Sequence, residues 1–212
     1  MSYTGLAAMY LRLQFHSKAV QLPPELTSGF DETIRKLIHL PYEIEISSRR
    51  LSPIETEVGA AVLEIMRQLS LENSTSTSRL ADRDQLRWVN ALRILKGNIN
   101  AALEHDRHIR SGGGCEVLYG RAGLLWTLIN LRRLCDDAHL GTSRRRGSGG
   151  GRRSVMLRKL AEYVRDEVLQ VLVDMIVSAG KKGAEMYEEQ YGERPVGMRL
   201  IWNWHDAWYL GA

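Results

Sequence analysis

Cysteine is almost missing: the 212 residues hold two, Cys115 and Cys135. Two thiols make no disulfide framework for a chain this long, so a reducing compartment is expected. Proline is scarce as well, five in all with two adjacent at Pro23-Pro24, so long helices meet few obstacles. No apolar run reaches the ~18 residues of a bilayer span, because Arg121 and Arg132 bracket the best candidate. The N-terminus, MSYTGLAAMYLRLQFHSK, has no basic region before its apolar part and reads as a poor signal peptide. Ser2 stands where N-myristoylation needs glycine. A soluble, cytoplasmic protein without a membrane span is expected. There is no Cys-x-x-Cys, His-Glu-x-x-His, phosphate loop or dinucleotide fingerprint. No convincing alternating strand occurs either, since Ile44 and Ile46 are too brief.

What is present is ordinary globular composition, 44% hydrophobic and 25% charged. The net charge of +4 is concentrated, with five arginines between Arg144 and Arg153. Without that stretch the chain is near neutral, and no aromatics interleave the arginines, so no nucleic-acid partner is expected. The polar, glycine-rich residues 136–153 read as a flexible basic insertion in a single domain spanning 1–212.

Helical periodicity covers most of the rest. Asp31–Leu40 is a short amphipathic segment halted before Pro41. Ser52-Pro53-Ile54-Glu55 opens a helix as a capping box, with Val58, Ala61, Val62, Ile65, Met66 and Leu69 on one stripe. Leu80–Leu103 is a longer pattern, apolar at Leu86, Val89, Leu92, Leu95, Ile99 and Leu103, with Arg83, Arg87, Arg93, Lys96 and Asn100 toward water. Val155–Ala179 reads as one strong helix closed by Gly180. Cys115–Leu134, CEVLYGRAGLLWTLINLRRL, is apolar most of the way round and predicts an interior helix buried on most of its surface. Gly120, Ala122 and Gly123, after Tyr119, leave its first turn without bulk, suited to close contact with backbone or a bound group. Tyr3–Phe15 looks like a worn copy of that start. The pattern is all-α and two-layered, with amphipathic outer helices around an apolar inner one.

Candidate chemistry is sparse. His105, His108 and Cys115 are close in sequence but span floppy Gly112–Gly114, and a solvent-facing histidine pair explains them better than zinc. Cys135 reads as a plain buried thiol. Arg121 could bind an anion with the helix N–H groups or pair with a carboxylate of a neighbouring helix. Trp202, Trp204, Trp208 and Tyr209 crowd around His205 and Asp206, either as a packed loop or as a ligand pocket, so Trp204, His205 and Tyr209 join Arg121 as candidate binding residues.

Two of these segments carry a resemblance. Glu116-Val117-Leu118-Tyr119-Gly120-Arg121-Ala122-Gly123-Leu124 resembles the LYGRAG-type signature of eukaryotic lanthionine synthetase C-like (LanC-like) proteins. Trp202–Ala212 is similar to the segment that precedes a His-Gly-x-Ala-Gly helix start in that family, and Tyr3–Ala7 resembles its opening repeat. The resemblance implies a double-layered α/α toroid, here incomplete. It also implies zinc-dependent addition of a thiol, glutathione, to a dehydrated serine or threonine of a peptide substrate. The family's zinc ligands, two cysteines and a histidine, lie beyond the matched region. The expectation is therefore an N-terminal portion of a LanC-like protein with no metal or catalytic residue of its own, inactive alone. It would expose helical faces open to self-association. The alternatives are a non-catalytic scaffold that binds a partner and a glycosidase-like α/α toroid with the tail tryptophans as a sugar platform, for which Asp206 lacks a second carboxylate.

Overall fold

A computed structural model describes residues 3–20, 23, 25, 29–41, 51–53, 56–70, 78–104, 115, 120–143, 152–204 and 207–211. They form α1 (Tyr3–Val20), α2 (Phe30–Leu37), α3 (Glu57–Ser70), α4 (Ser78–Glu104), α5 (Arg121–Ser143), α6 (Arg152–Ala161) and α7 (Asp166–Tyr191). A hairpin of β1 (Leu200–Trp204) and β2 (Ala207–Gly211) follows. The all-α character holds apart from that hairpin. Helices adjacent in sequence pair, α1 with α2, α3 with α4, and α5 with α6 and α7, while α1 also packs on α3.

The interior helix is α3, not α5. Val58, Ala61, Ile65 and Leu69 recur at helical spacing and enter the larger core with Trp88, Leu95, Leu128 and Leu160. Ala60 and Leu63, on the other side, join Ala7, Leu11, Ile34 and Ile38 in a smaller core. One helix thus serves two cores and has no face left for water. The outer position expected of an amphipathic helix is overturned because its charged residues are satisfied inside the protein.

Conversely, α5 is one-sided. Leu124, Leu128, Leu131 and Cys135 are buried, but Trp126 is 61% exposed and Ile129 is exposed beside it. The expected burial over most of its surface does not occur, since α6 and α7 cover only one flank.

Several boundaries move for identifiable reasons. The Ser52 capping box does not open α3, which starts at Glu57. Instead the Thr56 hydroxyl donates to the Ser52 carbonyl, and Pro53 lies against the first turn. In α4 the buried line runs through Trp88, Ala91, Leu95, Ile99 and Ala102, so Leu86 (66% exposed) and Val89 face outward. The rotation follows the largest ring: Trp88 has far more apolar surface to hide than either aliphatic. The long helix expected from Val155 is broken at 162–165, where the Tyr163 N–H bonds the Leu160 carbonyl at 3.0 Å and Asp166-Glu167 begin α7. Gly180 does not end α7. The helix continues to Tyr191 and closes on Gly192, whose φ of 86° is the left-handed cap. Gly180, Gly183 and Ala184 are buried on the helix against which β1 packs, and small side chains permit so close a strand.

Of the basic insertion, residues through Ser143 belong to α5, and Arg152-Arg153 begin α6. Residues 144–151 lie outside the described residues. The tail, expected as loop, is a two-stranded antiparallel hairpin with Trp202 opposite Tyr209 and Asn203 opposite Trp208. Its tryptophans, tyrosine and isoleucine are strong strand formers.

Gly59 reports how tightly α3 is enclosed. A Cβ there would lie 2.0 Å from the Pro53 carbonyl oxygen, a backbone atom with little freedom to retreat. Alanine gains about 1 kcal/mol of helix propensity, whereas forcing backbone apart in a packed core costs about 1–3 kcal/mol. Gly59→Ala is therefore expected to lower the urea-unfolding stability; an unchanged or raised midpoint would refute the close contact.

Candidate functional site

Helix α5 begins at the residues singled out from sequence. Gly120 is buried and its carbonyl accepts the Leu124 N–H at 3.2 Å; Gly123 is buried and its carbonyl accepts the Thr127 hydroxyl at 2.8 Å. Ala122 is half-buried. Tyr119 lies outside the described residues. The two glycines of this turn are thus interior.

Arg121, buried in the first turn, donates from Nε to the Ala102 carbonyl at 2.9 Å, in the last turn of α4. The final carbonyls of a helix have no partner within it. The arginine supplies one and locks the start of α5 to the end of α4. Its Nη1 lies 3.7 Å from the half-buried Cys115 Sγ. Burial pushes the Cys115 thiol up, and the hydrogen bond and charge of Arg121 only partly oppose this. The sulfur is therefore a protonated thiol at neutral pH. Cys135, inside the core, is pushed up to about 11 by burial and by the charge of Asp136. The Arg121 donors at Nε and Nη1 are occupied by protein groups.

The other candidates lie elsewhere. Trp204 in β1 is paired with Ala207, and Tyr209 in β2 with Trp202, on the hairpin that packs against α7. His205, His108 and His105 lie outside the described residues. Of these candidates, Arg121 stands on α5 and Trp204 and Tyr209 on the hairpin.

The densest polar constellation was not anticipated. Arg67, wholly buried on α3, bonds three carboxylates: Glu64 (Nη2 to Oε1, 2.8 Å), Asp31 of α2 (Nη1 to Oδ1, 2.7 Å) and Asp84 of α4 (Nη2 to Oδ1, 2.6 Å). Glu64, also wholly buried, takes a second guanidinium, Arg87 of α4, at 2.8 Å. Gln68 donates to the Glu64 carboxylate at 2.7 Å and to the Asp84 carbonyl at 2.6 Å. Arg87 also donates to the Ile38 carbonyl at 3.1 Å. Burial alone would push the Glu64 carboxyl up, but hydrogen bonds from Arg67 and Arg87, reinforced by their charges, hold it below its ordinary value. The Glu64 and Asp31 carboxylates in turn raise Arg67 despite its burial. The sequence signal was Glu-x-x-Arg inside an otherwise apolar helix, which at i, i+3 places both on one face.

This cluster is a fastener rather than a reaction centre, because its acids are tied up by cations. Among the described residues no three of His, Cys, Asp or Glu converge as metal ligands would, and no helix is long and apolar enough to cross a membrane. Comparison with protein-family models, curated proteins and solved structures finds no match.

A carboxyl whose folded pKa is depressed adds stability above its unfolded value, and loses it as pH falls through the folded pKa. For Glu64 the unfolded value is near 4.5. Urea midpoints should therefore hold between pH 7 and 5 and drop below the ordinary carboxylate range. Glu64→Gln removes one partner from a buried ion cluster, with an expected cost of about 3 kcal/mol at pH 7 and a shallower acid limb. An unaltered acid limb in this variant would show that Glu64 does not carry the pH dependence.

Proposed function

We propose that this chain builds the N-terminal arc of a LanC-like α/α toroid and carries no catalytic metal site of its own. The observation that carries the reading is the placement of Gly120–Gly123. This LYGRAG-type segment leads into α5 at a turn where Gly120 and Gly123 are buried and Arg121 is pinned to α4. A glycine-rich entry to a helix is what the resemblance implies for such a fold; α5 itself packs along one side, through Leu124, Leu128 and Leu131, and leaves Trp126 exposed. Successive paired helices, α1–α2, α3–α4 and α5–α7, are compatible with an arc of a two-layer ring.

In that family the reaction is zinc-dependent addition of glutathione to a dehydroamino acid. Zinc lowers a thiol pKa so that thiolate is present at neutral pH. Among the described residues the two cysteines do not fit such a centre. Cys135 is enclosed by the core and Cys115 is held beside Arg121, both with raised pKa values, and neither stands at a position matching a family ligand. The chain's contribution is accordingly a scaffold for a peptide or glutathione site completed by other residues. A second reading, a partner-binding helical scaffold, draws on the exposure of Trp126 and Ile129 on α5.

Metal analysis and sequencing of the transcript separate the two. The purified chain is expected to hold no stoichiometric zinc and to leave a dehydroalanine peptide unmodified by glutathione. The reading frame containing it is expected to encode a His-Gly turn, a cysteine and a Cys-His pair. Stoichiometric zinc in the chain, or a frame without those residues, overturns the LanC-like reading; the second outcome favours the scaffold.

A further inference from the structure

Helix α4 carries a line of residues that the fold does not bury. At about 100° per residue, Asp82, Leu86, Val89, Arg93, Lys96 and Asn100 fall within about 40° of one direction, the three-and-four spacing of a coiled-coil seam. All six are exposed, Leu86 at 66% and Val89 at 49%. The helix cannot roll to hide them. Its other side is committed to the core through Trp88, Ala91, Leu95 and Ala102, and Arg87 holds the buried Glu64 carboxylate at 2.8 Å.

The order of charges along this line is complementary to its own reverse. Turned antiparallel about a two-fold axis midway between Leu86 and Val89, Leu86 faces Val89 of a second copy and Asp82 faces its Arg93, each contact occurring twice. Parallel pairing would instead set Asp82 on Asp82, Arg93 on Arg93 and Lys96 on Lys96. Sliding the antiparallel pair by one heptad in either direction puts Leu86 against Asp82 or against Lys96. Arg93 donates to Asn90 of its own helix at 3.0 Å, a surface bond that a guanidinium with five donors can keep while it meets a carboxylate. Arg83, on the flank, comes beside Asn90 of the second copy rather than beside a like charge. One layer farther out the register brings Arg79 to Lys96, a like pair that limits the favourable contact to residues 82–93.

We propose that the outward face of α4 is a homodimer surface, on which residues 82–93 of two copies pair antiparallel about a two-fold axis between Leu86 and Val89. An amphipathic helix of another protein could lie on the same stripe, but the match of each charge to its own reverse favours a second copy. The pairing needs only α4 and stands apart from the family reading.

Two apolar residues per copy make a small contact, so the test is sedimentation of the full chain over a concentration series up to about 1 mM, the weak end of measurable association. The average mass is expected to rise from one chain toward two. Leu86→Asp should hold it at one chain while the urea midpoint stays unchanged, because Leu86 lies outside the core. Asp82→Arg and Arg93→Asp should each weaken association roughly tenfold, since two exposed ion pairs per dimer become repulsive. The double variant restores opposite charges in exchanged order and should regain the dimer, a rescue that damage to the fold would not give. Lys96→Glu makes the outer pair attractive in this register alone and should tighten the dimer about several-fold. A mass of one chain at every concentration overturns the proposal and leaves a foreign helix as the occupant to seek. So does a dimer that Leu86→Asp leaves intact, a double reversal no better than the single ones, or a Lys96→Glu variant that binds no more tightly.

Discussion

A guanidinium with no access to water, in the middle of the most enclosed helix, constrains everything around it. Burying an ion costs several kcal/mol even after relaxation, and only close, well-aligned counter-charges offset that. Arg67 meets the condition with carboxylates from three helices, Asp31 on α2, Glu64 on its own α3 and Asp84 on α4. Apolar burial is non-directional and tolerates rotation and sliding. These bonds do not, since a slip of one residue along α2 or α4 would strand a charge in the core. The cluster contains three carboxylates and two guanidiniums, counting Arg87. The excess negative charge is tolerable because Asp31 is partly open to solvent.

The same fastening explains how two cores meet on one helix. The smaller core, built from Ala7, Leu11, Ile34, Ile38, Ala60 and Leu63, is modest for holding α1 and α2 in place. Arg67 and Arg87 strengthen the join, one bonding Asp31 and the other the Ile38 carbonyl just past α2. Asn90 extends it by donating to the Pro41 carbonyl at 3.0 Å. The connection leaving α2 is thus stitched along α4 through the Ile38 and Pro41 backbone carbonyls.

Periodicity located α2 and α4 closely and the body of α3, because their apolar residues recur at three- and four-residue intervals over several turns. It reversed the ranks of α3 and α5. A hydropathy pattern scores Glu64, Arg67 and Gln68 as a wet face; it cannot register that they satisfy one another and two further helices. It likewise scores Trp126 and Ile129 as buried without knowing whether anything covers them. The hairpin escaped for a different reason. Its strands are apolar or aromatic at consecutive positions, so the two-residue alternation that marks a half-buried strand is missing. At the candidate site the local oddity was visible, an arginine between small residues, but its partner was not. The Ala102 carbonyl is a backbone atom at the end of another helix, and side-chain patterns carry no trace of it.

That anchoring decides how the exposure of Trp126 should be understood. Arg121 and Arg132 stand about three turns apart on α5, hence on the same side of it. The first holds the Ala102 carbonyl of α4, and the second holds the Val164 carbonyl at the turn between α6 and α7 and also reaches Asp166. Between them Leu124, Leu128 and Leu131 fill the core. Turning α5 to hide Trp126 would break both arginine anchors and withdraw the leucines together, a loss no single tryptophan could offset. The outward face is therefore fixed from behind by the groups that are buried, and Trp126 with Ile129 is presented on a held helix rather than on one free to roll inward.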